Sequence, residues 1–347
     1  MDIHENVPLS GHSTMRLGGT ARYLVEITSK WDVGKAWQWA QERDLPVIMI
    51  GDGSNIVWRD EGFSGLVMVN RIKGYDDYAE DARSHYITVG AGENWDNVVA
   101  RTTQAGLTGV EALSLIPGTA GATPVQNVGA YGQEVAQTIT SIEVFDTTTG
   151  QLTNVPHEAC GFGYRKSNFQ TEYRDRFFIT GVTFHLYAEN PKPPFYGAVE
   201  HYLAQNPPTG NVTPQIIRDA VIAIRTAKLP DPAIVANNGS FFANPIVSGG
   251  ELVELQAEYD NMPCWPNEDG GAKIPAAWLI EQAGFKDYHD SETGMATWPT
   301  QPLVLVNEHA KTTNDLLSFK QKIVDAVQSK FSITLQQEPE LLPLREI

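Results

Sequence analysis

Residues 116–132 read IPGTAGATPVQNVGAYG and contain no Lys, Arg, Asp or Glu, in a chain that is 19% charged. Gly118, Gly121, Gly129 and Gly132 punctuate the stretch. Glycine lets a backbone pass close to a ligand without a Cβ in the way. Thr119, Thr123, Gln126 and Asn127 add neutral hydrogen-bonding groups. Such a segment can line a flat, partly polar ligand such as an isoalloxazine, or it can be an ordered loop buried between domains. Two further glycine-rich turns follow strand-like runs: GDGSNI at 51–56 and GAGENW at 90–95. Neither fits a dinucleotide-binding Rossmann turn, which needs a small third residue and a helix behind it. The first has Ile56 in that place and no helical pattern after it; the second has Trp95. Tight glycine turns still point backbone N–H groups inward as an anion nest. GDGSN offers such a nest together with the Ser54 hydroxyl and the Asn55 amide. The alternative is two plain turns between strands.

The rest of the composition narrows the chemistry. Cys160 and Cys264 stand alone, without the spacing of a zinc site or a disulfide framework. The formal net charge of −17 comes with no basic patch, which argues against nucleic-acid binding. No apolar run approaches 18 residues, and the N-terminus lacks a basic segment followed by an apolar one. A cytoplasmic location with no membrane partner is the expectation. An acidic chain that takes an anionic ligand must gather its cations at the site itself.

The positioning elements follow from periodicity. ARYLVEI, then SKWDVGKAWQWAQERD, then LPVIMI predict a βαβ opening, with Ser29 and Asp32 as a capping box. GLVMVN, HYITVG and RFFITGVTFHLYA read as strands, NWDNVVARTTQA as a helix, and SIEVFDTTTG with QLTNV as a hairpin. The six prolines between 191 and 214 predict a loop or linker. TPQIIRDAVIAIRTAK is a helix starting at Pro214. PAAWLIEQAG is a short helix beginning at Pro275, NDLLSFKQKIVDAVQSKF a long amphipathic one, and SITLQ a last strand. KLPDPAIVANNGSFFANP reads as irregular.

In this order, GDGSN, AGENW, IPGTAGATPVQNVGAYGQEV, CGFGYRKSNF, RTAKLPDP, NNGSFFANP and QEPEL resemble the UDP-N-acetylenolpyruvoylglucosamine reductase family over nearly the whole chain. KPPFYGAVEH resembles the loop with a substrate-closing tyrosine that one type of that family carries. The resemblance implies an α+β fold: an FAD-binding fold of the vanillyl-alcohol-oxidase type with a separate C-terminal substrate-binding α+β domain. It implies FAD-binding subdomain 1 at 1–71 plus 334–347, subdomain 2 at 72–229 and the substrate domain at 230–333. FAD is expected against Gly51, Gly53, Ser54, Asn55, Ile116, Pro117, Gly118, Gly121, Ala122, Gln126, Asn127 and Gly129, with NADPH as hydride donor. Arg165, Ser240 and Glu340 take the catalytic roles, as carboxylate partner, proton donor and stabilising acid. Glu338 is the alternative for the last, because Leu341 and Leu342 follow Glu340 and Arg345 comes late. Tyr196, Lys228 and Asn244 correspond to contacts with the UDP-sugar. The implied protein is a monomer acting on a small molecule, UDP-N-acetylglucosamine enolpyruvate. The rivals are another flavin oxidoreductase of that superfamily acting on a sugar or alcohol, and a non-catalytic nucleotide-sugar binder.

Overall fold

The computed structural model describes residues 1–267 and 269–344; Arg345 lies outside them. The chain divides into two units. One comprises Met1–Val7, Ala21–Asp52 and Phe63–Ala227; the other comprises Pro8–Thr20, Gly53–Gly62 and the chain from Lys228 onward.

In chain order the N-terminal part gives β1 (Ile3–Pro8), β2 (Thr20–Ile27), α1 (Lys30–Gln41), β3 (Val47–Ile50), β4 (Ile56–Trp58), β5 (Phe63–Asn70), β6 (Tyr75–Ala79), β7 (Ser84–Gly90) and α2 (Trp95–Gln104). Within the first unit β2 and β3 both run parallel to β5, which lies between them. The βαβ opening is thus present, with a third strand inserted. Helix α1 buries Val33, Ala36 and Ala40 beside Val25, Ile27, Leu66 and Met68, the stripe its spacing predicts. Ser29 heads α1 without capping it. Its hydroxyl donates to Asp32 Oδ2 at 2.7 Å, while the Asp32 N–H that a cap would receive donates to the Ser29 carbonyl at 3.1 Å.

Further along come β8 (Gly129–Ala130), β9 (Gln133–Glu134), β10 (Ile139–Asp146), β11 (Gln151–Pro156), β12 (Phe177–Tyr187), α3 (Gly197–Gln205) and α4 (Pro214–Lys228). An antiparallel sheet β11-β10-β12-β7-β6 packs Ile87, Val89, Ile142, Val144, Val182 and Phe184 with Trp95 and Val98 of α2. The proline-rich 191–214 segment is not a bare linker. Its prolines flank α3, whose Val199 packs with Ile217, Ala220 and Val221 of α4 in a small core of their own.

The second unit holds β13 (Ala236–Ser240), β14 (Ile246–Val247), α5 (Gly249–Glu258), β15 (Trp265–Pro266), β16 (Ala272–Lys273), α6 (Ala276–Gln282), β17 (His289–Asp290), β18 (Met295–Trp298), β19 (Gln301–Asn307), α7 (Thr313–Phe331) and β20 (Glu340–Leu342). The antiparallel sheet β13-β19-β18-β17 packs with α6 and α7 around Phe241, Leu279, Leu305, Leu316, Phe319 and Ile323. Pro275 is the residue before α6 rather than its first. Thr312 and Asp315 form a complete capping box on α7. SITLQ is no strand: Gln336 O accepts the Ala243 N–H at 3.0 Å, beside an isolated bridge between Gln337 and Phe242. The tail's strand is β20, parallel to β4. Among the described residues no helix is long and apolar enough to cross a membrane, and no cluster of His, Cys, Asp and Glu could hold a metal.

Candidate active site

In the first unit three glycine-bearing segments meet. The neutral loop runs along the 90–95 turn: the Trp95 N–H donates to the Gly118 carbonyl at 3.0 Å, the Ala120 N–H to Glu93 O at 2.8 Å and the Gly121 N–H to Ala91 O at 2.8 Å. A Cβ on Gly121 would fall 2.5 Å from that of Ala91, and one on Gly51 would collide with the Thr119 hydroxyl. Both glycines therefore sit where a neighbouring segment leaves no room for a side chain. Trp95, too bulky for a dinucleotide turn, is buried and donates its indole N–H to the Leu113 carbonyl at 3.0 Å.

The FGYRKS segment is stitched to the same loop. The Ser167 hydroxyl donates to Val125 O at 2.6 Å, and the Asn127 amide donates to Gly163 O at 3.0 Å and Glu134 at 2.7 Å. Asn127 Oδ1 accepts from the Ala136 N–H, so this buried side chain shapes the loop rather than projecting from it. Arg165, at φ +51°, donates to Gly129 O at 2.8 Å and is thereby set on the loop's rim. The turn between β8 and β9 brings in Tyr131 and Gly132 at φ +48° and +83°. A tyrosine in that region costs about 1–2 kcal/mol. The Tyr131 ring meets Tyr196 edge to face, with centroids 5.6 Å apart.

The second unit gathers three other motifs. Residues 53–55, the NNGS turn and the tail lie dozens to hundreds of positions apart in sequence. The Asn238 amide donates toward Ser54 O at 3.2 Å, Ile56 O at 3.1 Å and Thr14 Oγ1 at 3.1 Å. The Glu340 N–H donates to Asn55 O at 2.9 Å, and the Glu338 N–H to Phe241 O at 2.9 Å. Ser240 and Glu340 thus stand on neighbouring segments joined by the Phe242–Gln337 bridge. Ser240 owes its orientation to a bulge. Asn237 pairs with Val306 and Ser240 with Val304, so β13 takes one more residue than β19 between the same two points. Gly239 supplies the positive φ of +69° that this needs. The extra residue turns Ser240 to the exposed side, while Phe241 and Phe242 behind it are buried and pack edge to face at 5.4 Å.

Lys228 closes α4 with an exposed side chain, and partial burial of its ammonium pushes its pKa down. Asn244 accepts the Ala276 N–H at the start of α6, at 2.9 Å. Cys160 is inert: burial first, then Glu158, pushes its thiol up to about 12. Sequence reasoning missed Asn238, Tyr131 as a strained position, and Arg225 beside it. Only the quoted motifs around them offered a signal.

The first unit's loops fit a flavin nucleotide by their donor set. Residues 116–132 present backbone, hydroxyl and amide groups with no carboxylate, and the flanking backbones are too close for side chains.

Comparison with known proteins places these parts in a family. Residues 21–155 match the model of an FAD binding domain, and residues 231–342 that of the UDP-N-acetylenolpyruvoylglucosamine reductase C-terminal domain. The chain is 38% identical over 345 residues to UDP-N-acetylenolpyruvoylglucosamine reductase of Amoebophilus asiaticus, covering 99% of this chain and 100% of that protein. It is 39% identical to the enzyme of that name from Cupriavidus pinatubonensis, covering 98% and 99%. The crystal structure of the Thermus caldophilus UDP-N-acetylenolpyruvylglucosamine reductase superposes with a TM-score of 0.68 at 22% identity, covering 99% of this chain and 100% of that one, a likeness of fold.

Proposed function

Because this chain belongs to the UDP-N-acetylenolpyruvoylglucosamine reductase family, we propose that it reduces UDP-N-acetylglucosamine enolpyruvate to UDP-N-acetylmuramate, a peptidoglycan precursor, using FAD and NADPH. The observation that supports this best is the meeting of Ser240 and Glu340 on neighbouring segments held to residues 54–56, with a bulge that turns the serine outward.

The charge-free loop of residues 116–132 would hold FAD, which would supply hydride chemistry between NADPH and C3 of the enolpyruvyl group. The chain's own residues handle the charge and the proton. Hydride addition at C3 pushes the C2–C3 π electrons onto C2 and the carboxylate, as an enediolate-like species. The Arg165 guanidinium pairs with that carboxylate, a geometry its planar fork suits. The Ser240 hydroxyl gives its proton to C2 and regains one from water; a serine is acid enough only because the carbanion it meets is strongly basic. Glu340 hydrogen-bonds the charge as it builds. Lys228, Asn244 and Tyr196 receive the UDP-sugar phosphates, Lys228 with positive charge and the other two with neutral hydrogen bonds, in a chain of net charge −17. We assign the FAD subdomains to 1–71 with 334–347 and to 72–229, and the substrate domain to 230–333. The chain acts as a cytoplasmic monomer on a small molecule.

An anaerobic visible spectrum tests the reading. NADPH should bleach the flavin band, and UDP-N-acetylglucosamine enolpyruvate should restore it. Restoration by oxygen alone would replace this substrate with that of another flavin oxidoreductase. A protein that takes up no FAD would end the reading.

A further inference from the structure

Tyr131 occupies a place that disfavours tyrosine. With Gly132 it forms the two-residue turn between β8 and β9, where Ala130 pairs with Gln133. Both central residues have positive φ, as a type I′ hairpin turn requires. Asn-Gly is the sequence such turns favour. Strain of this kind is kept where surrounding groups hold the residue in place, and it points to a role.

Two groups hold the ring. From α4, the Arg225 guanidinium lies beside the Tyr131 hydroxyl, and its Nε donates to Leu115 O at 3.3 Å. The nearby carboxylate of Asp96 is already engaged. It accepts both prongs of Arg218, at 2.6 and 2.9 Å, and the Leu115 N–H at 2.5 Å. Among the described residues no carboxylate lies within ion-pair distance of Arg225. In an acidic protein this half-buried cation faces a neutral phenol and a carbonyl. On its other side the Tyr131 ring stands perpendicular to that of Tyr196, at 90° and 5.6 Å. The Gly132 backbone passes under the same residue: a Cβ built there would lie 4.0 Å from that of Tyr196. Tyr196 itself is 42% exposed at the head of α3. An exposed tyrosine without such a brace would sample several rotamers and lose that freedom on binding.

We propose that Arg225 and Tyr131 are positioning residues: Arg225 fixes the Tyr131 ring, and that ring presets Tyr196 for the diphosphate of the nucleotide sugar. The inference rests on the reading of this chain as a UDP-sugar reductase with Tyr196 as a phosphate contact.

The test uses the FAD-loaded enzyme. KM and kcat for UDP-N-acetylglucosamine enolpyruvate are measured alongside the rate of flavin reduction by NADPH alone. Arg225→Gln and Tyr131→Phe should each raise KM for the sugar about tenfold, the effect of losing one charge-assisted hydrogen bond. Flavin reduction should stay within about twofold, and the double variant should be no worse than the worse single one. In a Tyr196→Ala background neither change should add anything. Tyr131→Phe keeps the half-buried ring and so serves if Arg225→Gln does not fold. An unchanged KM, an equal slowing of flavin reduction, or a full effect in the Tyr196→Ala background would each overturn the proposal. Failure of the unaltered enzyme to turn over the sugar would instead remove the functional reading on which it stands.

Discussion

Asn238→Asp exchanges one side-chain NH2 for an oxygen, with almost no change of shape, at a site only 5% exposed. In the native protein that NH2 faces three acceptors at 3.1, 3.2 and 3.1 Å. A carboxylate there would point charge at two carbonyls and a hydroxyl in a buried place. Its cheapest escape is to take up a proton. Holding a carboxyl of ordinary pKa near 3.9 neutral at pH 7 costs up to about 4 kcal/mol, at about 1.4 kcal/mol per pH unit. Losing one donor adds about 1 kcal/mol. The deficit against the unaltered protein is then about 4–5 kcal/mol at pH 7 and about 2–3 kcal/mol at pH 5. The sign follows from proton binding. The folded pKa of the new carboxyl is raised, so the native state holds the extra proton and stability is lost as pH rises above about 4. Urea denaturation followed by tryptophan fluorescence at pH 5, 6 and 7 measures this. Asn238→Ala is the control: it should cost about 1–3 kcal/mol with no added pH dependence. An Asp variant within about 1 kcal/mol of the unaltered protein at pH 7, or a deficit that does not grow with pH, would refute the reasoning.

Ser240→Ala should leave flavin reduction by NADPH nearly intact and cripple turnover of the enolpyruvyl sugar; stopped-flow measurement of each half-reaction decides, and equal losses in both would remove Ser240 from proton delivery. Gly239→Ala meets no atom within 4 Å yet places a Cβ at φ +69°. It should cost about 1–2 kcal/mol in urea melts and lower kcat more than stability suggests, through the aim of Ser240; unchanged kcat would count against the bulge as the aiming device. Arg165→Lys keeps the charge and loses the fork, so kcat/KM for the sugar should fall about ten- to a hundredfold with FAD still bound; a value equal to that of the unaltered enzyme would exclude Arg165 from carboxylate binding.

Much was legible in the sequence because it was local. The charge-free stretch, the glycine turns and the 3.6-residue stripe of α1 depend on neighbours a few positions away, and residue types record them directly. Family motifs carried the cofactor and the reaction in the same way. Local pattern misled where a competing partner stood nearby. The Asp32 N–H turned to the Ser29 carbonyl rather than its hydroxyl, and the prolines of 191–214 hid a helix that only its packing against α4 makes worthwhile.

What the sequence by itself determined, then, is the list of chemical groups and the elements that carry them. Which groups meet was decided by the tertiary structure. Asn238 reaches Ser54 across 184 positions and Thr14 across 224. The outward turn of Ser240 depends on a register slip against β19, and the left-handed Tyr131 stands edge to face with Tyr196. Bulges, positive φ at non-glycine residues and long-range hydrogen bonds are set by what packs from elsewhere in the chain, and no window of neighbouring residues contains that information.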